Sequence, residues 1–109
     1  MAYDEALAEG IRVVLRDRDD VEERKMFGGI AFMVAGRMAV GVTHDDLMVK
    51  VGKEAHDDAL ALPHARPMDF TGKPMRGMVY VGPEGTGDDA DLRGWVDRAV
   101  EVALASASA

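Results

Sequence analysis

The sequence predicts an α+β domain of two layers, a mostly antiparallel sheet with helices on one face, in the order α-β-β-β-β-α-β-β-α. Two patterns carry that expectation. Four apolar segments follow one another between Val21 and Val51, and the breaks between them are too short for crossovers, so neighbours must pair antiparallel. Amphipathic segments with helical spacing stand at both ends, and each needs a surface for its apolar stripe. The chain has 109 residues, 48% of them apolar. One domain of that size folds to a surface near ~5,900 Å² and buries about two-thirds of what the unfolded chain exposes.

The first helix is expected from about Asp4 to Arg18. Tyr3, Leu7, Ile11, Val14 and Leu15 line one of its faces, and the early acids and late arginines suit the helix dipole. Strands follow at Val21–Met26, Ile30–Val34, Met38–Val42 and Leu47–Val51. Ala35-Gly36-Arg37 and Thr43-His44-Asp45-Asp46 separate them as turns, and Gly28-Gly29 is either a turn or a bulge inside a longer bent strand. A short helix from Lys53 to about Leu62 stops at Pro63. Two strands come next, near Pro67–Thr71 and Met75–Val81, joined by Gly72-Lys73-Pro74. The last helix runs from about Asp88 to Leu104 on Leu92, Trp95, Val96, Ala99, Val102 and Ala103, with Trp95 as a core anchor. The single domain is expected over 1–109, with 103–109 a frayed tail.

Alternation along the strands assigns the sides of the sheet. Met38, Val40 and Val42 share one side, as do Leu47, Val49 and Val51. Ala39, Gly41, Met48 and Lys50 form the other, too apolar for a solvated face, and it reads as a homodimer or partner surface.

Composition removes several functions. The absence of cysteine excludes disulfides, thiolate metal sites and cysteine nucleophiles. Asp4, Glu5 and Glu9 interrupt any secretory signal and no stretch has the length of a membrane span, so the expected location is cytoplasmic, with no membrane contact. A net charge of −7 disfavours direct nucleic-acid binding. Arg12, Arg16, Arg18, Arg24 and Lys25 could form a local basic patch, but they alternate with acids, which describes a mixed solvated surface.

Three histidines are candidates for chemistry. His44-Asp45-Asp46 and His56-Asp57-Asp58 repeat one tripeptide, and imidazole with carboxylate suits a divalent ion, making His44, Asp46 and His56 the metal candidates. Against that, the spacing does not build a local site, and a polar turn and an exposed helix face account for the same residues. Ser106 and Ser108 lie in the tail, and no serine or threonine has a triad-like setting. The loop Gly82-Pro83-Glu84-Gly85-Thr86-Gly87 leads into Asp88-Asp89, where a phosphate would need a cation. The eight methionines suit irregular packing or adaptable binding surfaces. No cofactor and no catalytic residue is expected.

Lys25-Met26-Phe27-Gly28-Gly29, Ala35-Gly36, Leu47-Met48-Val49-Lys50-Val51, Met68-Asp69-Phe70, Met75 to Val81 and Leu92-Arg93-Gly94-Trp95-Val96 occur in that order. This ordered set resembles the N-terminal domain of the TfoX/Sxy competence regulators, from about Tyr3 to Ala103. The resemblance implies a fold related to the secretion-chaperone-like architecture. It also implies a positive regulator that works with a transcription factor on DNA-uptake genes. The chain is expected to be a stand-alone copy lacking the family's helical second domain. The leading expectation is a non-enzymatic regulatory or protein-interaction module using Phe27, Gly28, Gly29, Met48 and Lys50. The alternative is a small-ligand or metal-binding domain with hydrolytic activity.

Overall fold

The computed structural model describes residues 3–26, 28–68 and 77–108. The elements are α1 (Glu5–Leu15), β1 (Val21–Met26), β2 (Gly29–Val34), β3 (Arg37–Thr43), β4 (Asp46–Lys50), α2 (His56–Leu60), β5 (Ala65–Pro67), β6 (Met78–Val81) and α3 (Asp89–Ser108), with a 3₁₀ turn at Pro83–Gly85. The six strands form one antiparallel sheet in the order β1-β2-β3-β4-β6-β5, and the helices cover one of its faces.

Turn chemistry fixes the hairpins. Val34 pairs with Arg37 across Ala35-Gly36, both at positive φ, the backbone that lets a two-residue turn follow the strand twist. Thr43 pairs with Asp46 across His44-Asp45, with His44 at φ 54°. Met26 pairs with Gly29, and Gly28 in that connection has φ 73°.

Asp4 caps α1. Its Oδ1 accepts from the backbone N–H groups of Ala6 (2.9 Å) and Leu7 (3.1 Å), donors that the first helical turn leaves unpaired. The Asp4 N–H in turn donates to the His44 carbonyl at 2.6 Å, fastening the start of the helix to the β3–β4 hairpin. Asp4→Ala is expected to lower stability by about 1 kcal/mol, read as a lower denaturation midpoint at unchanged m-value.

Between the layers lies an aliphatic core. Leu7, Ile11 and Leu15 of α1 and Leu92, Val96, Ala99 and Ala103 of α3 meet Phe32, Val34, Val40, Val42, Leu47, Val49, Val79 and Val81. Trp95 packs at its margin, half-buried, and Val100 takes an inward position the pattern did not assign. The helix continues to Ser108, because its alanine-rich end has high helix propensity.

One parity is corrected. Phe32 pairs with Val40 but Met33 pairs with Met38, so Ala39 is an extra residue on β3. This bulge turns Ala39 into the main core beside Val40 and sends Met38 to the other side of the sheet, where it packs against the methionine cluster. Strand β5 starts two residues earlier than expected, at Ala65 rather than Pro67, and β6 is confined to Met78–Val81. Met68 and Gly77, expected in those strands, lie outside them, and the rest of the expected strands with their Gly72-Lys73-Pro74 turn falls outside the described residues. Helix α2 is shorter than the expected Lys53–Leu62, beginning at His56.

Candidate functional site

The side of the sheet turned away from the helices is built from methionine. Met48, Met68 and Met78 form a second buried cluster, with Met38 and Tyr80 packed against it. Met33, opposite Met38, is half-buried beside them. Among the described residues the main core contains no methionine. β-Branched residues there pack rigidly between sheet and helices, whereas unbranched thioether chains fill the second cluster.

This arrangement redistributes the expected partner residues. Met48 has 0% exposure, roofed by Met68, so it supports the surface without presenting any of it. Among the described residues of that side, the half-buried Met33, Met38, Tyr80 and Lys50 and the exposed Glu22, Arg24 and Arg66 are within reach of a partner. Lys50 also borders a hollow of about 640 Å³ with Lys53, Gly77, Met78 and Val102. Phe27 lies outside the described residues. Its neighbours have structural tasks: Gly28 supplies positive φ, and Gly29 passes so near β3 that a Cβ would fall 1.8 Å from the Val42 carbonyl oxygen.

The metal candidates are not brought together. His44 is exposed at its hairpin tip. The Asp46 carboxylate accepts from the Arg66 guanidinium, which also stacks over the Tyr80 ring at 5.2 Å, and the bond to Asp46 pushes the Arg66 pKa up. His56 is buried, and its Nδ1 accepts from the Gly77 N–H at 3.0 Å. An imidazole whose Nδ1 accepts from an N–H carries its proton on Nε2, so neither nitrogen offers a lone pair to an ion. The Gly77 carbonyl meanwhile accepts from Val51 (2.8 Å) and Gly52 (3.2 Å). His56 thus clasps the start of β6 against the end of β4, a task the sequence could not show because its partner is 21 residues away. Among the described residues no group of three or more His, Asp or Glu could hold a metal ion.

Three of the arginines at or near α1 are paired. Arg12 donates to both Glu23 oxygens at 2.9 Å and to Glu9, Arg18 pairs with Asp20, and Arg24 pairs with Glu22. Arg12 also lies 6.0 Å from the Phe32 ring centroid, so it joins α1 to β1 over the rim of the core. The bond from Arg12 holds the Glu23 carboxyl below the usual carboxylate range. A folded-state pKa below the unfolded one stabilises above the unfolded value, and that stabilisation is lost as pH falls through the folded value. Glu23→Gln is therefore expected to flatten the acid limb of the stability–pH curve. The difference is at most about 0.5 kcal/mol, since water screens a pair this exposed.

No described helix is long and apolar enough to cross a membrane. A family model for the TfoX N-terminal domain matches residues 14–103, from the second half of α1 through every strand to the later turns of α3. No curated protein and no solved structure matches the chain. The matched span exceeds half the chain and takes in the whole sheet, and on that ground the protein belongs to the TfoX N-terminal domain family.

Proposed function

We propose that the chain is a non-enzymatic regulatory module that binds a protein partner through the helix-free side of its sheet. The observation that carries this reading is the segregation of methionine to that side. The half-buried Met33 and Met38 offer adaptable thioether contacts to apolar partners, backed by the buried Met48, Met68 and Met78 and by the aliphatic core that keeps the sheet rigid. Family membership gives the regulatory sense: a contribution to transcriptional control of competence, made through protein contact, on a fold related to secretion chaperones. The charge of −7 and the pairing of Arg12, Arg18 and Arg24 with acids favour protein over nucleic acid as the partner. A homodimer through the same side is one form of this reading, and the cytoplasm is its natural setting.

The test is affinity capture from native lysate with wild type and with Met38→Lys and Lys50→Glu variants, alongside light scattering at high concentration. A reproducible partner, or a dimer, that both substitutions weaken is the expected result. Capture of nothing reproducible together with a strict monomer defeats the reading. A rise in melting temperature with zinc, manganese, nickel or a nucleotide instead favours the ligand-binding alternative.

A further inference from the structure

A separate groove of about 550 Å³ runs along the helical side of the molecule, between α3 and the loops that carry Leu62 and Glu84. Its α3 wall presents, in order along the axis, Asp91, then Gly94 and Trp95, then Arg98. Three features of this wall have no explanation inside the fold. Gly94 stands within a helix, where glycine lowers stability relative to alanine, yet a Cβ there would meet nothing within 4 Å. Leu62 is 38% exposed, and with Val13 it makes up the large apolar side chains left exposed among the described residues. Glu84, Asp91 and Arg98 form no ion pair among the described residues, whereas Arg12, Arg18, Arg24 and Arg66 are paired. Arg98 lies over the Trp95 ring at 5.6 Å, and that contact leaves its donors open to an anion.

The groove therefore has an acidic end, an apolar middle where the helix backbone is bare, and a basic end. At 1.5 Å per residue, Asp91 and Arg98 are about 10 Å apart along the axis, the length of roughly three residues of extended chain. We infer that this groove docks an extended segment of another polypeptide. That segment places a basic side chain at Asp91, an apolar side chain against Leu62 and Trp95 over Gly94, and an anionic group at Arg98. This surface is distinct from the methionine side, and the inference stands whether or not that side binds a partner.

The test uses the full chain and a displayed random heptapeptide library, with selected peptides measured by the fluorescence of Trp95, the chain's only tryptophan. Selected peptides are expected to combine a base, an apolar residue and an acid, and to shift Trp95 emission. Gly94→Gln fills the bare stretch with a good helix former. It should melt roughly 4 °C higher than wild type and bind these peptides at least tenfold more weakly. Asp91→Lys should weaken them by a similar factor. The inference is overturned if no peptide is enriched over background, if selected peptides bind Gly94→Gln as well as wild type, or if Gly94→Gln melts lower. Self-association abolished by Gly94→Gln overturns it in favour of a second copy as the occupant.

Discussion

Gly29→Ala is expected to destabilise the domain by about 3–5 kcal/mol, enough to leave a marginal fold largely unfolded. The added Cβ would sit 1.8 Å from the Val42 carbonyl oxygen and 2.9 Å from its carbonyl carbon, and both belong to backbone that no rotamer change can move. Relief requires β2 and β3 to part at Ile30 and Val42, both buried, which admits water to the core. Gly28→Ala is the control. Its Cβ meets nothing, so its cost is confined to holding alanine at positive φ, about 1 kcal/mol. Denaturant melts of the two variants separate the roles. Equal losses would show that the close approach of Gly29 to β3 adds nothing to its need for glycine.

Phe32→Ala follows in size, at about 3–5 kcal/mol. Phe32 is a fully buried side chain on an interior strand, facing the helices, and no methionine among the described residues of that core can flow into the void. β-Branched valines around it are stiff at χ1, so the cavity persists instead of collapsing. The loss should appear as a lower denaturation midpoint at an unchanged m-value. Met48→Ala makes a useful comparison: flexible Met68 and Met78 can relax into its space, so its loss should be smaller than that of Phe32→Ala. The reverse ranking would contradict the division of the interior into a rigid and an adaptable half.

Element order and hairpin pairing were legible because they are local. Ala35-Gly36 and His44-Asp45 are breaks between apolar runs too short for anything but hairpins, and helical spacing around Ile11 and Val96 marks the faces of α1 and α3. What escaped depends on residues far apart in sequence or on parity. The Ala39 bulge exchanges the sides of Met38 and Ala39, and the run Met38-Ala39-Val40-Gly41-Val42 alternates smoothly enough to conceal it. The side read as open proved to be layered, since Met68 covers Met48 and no pattern in β4 announces that roof. The candidate site fared likewise. His44 and His56 share a tripeptide but not a location, and the use of His56 appears only when Gly77 is beside it. Gly28-Gly29 stood out correctly as special, although the close approach to Val42 needs strand register to be seen.

The order in which the sheet is laid down bears on how the molecule is made. Strands β1 to β4 are added edge to edge in the sequence in which a ribosome delivers them, so the early meander can close through short loops at little entropic expense. The longest helix, α3, emerges after every strand, and until it docks the greasy inner surface of the nascent sheet is only partly screened by α1. During that interval the polypeptide is at its most vulnerable to sticking to other chains, and a chaperone that shields it would act in place of α3.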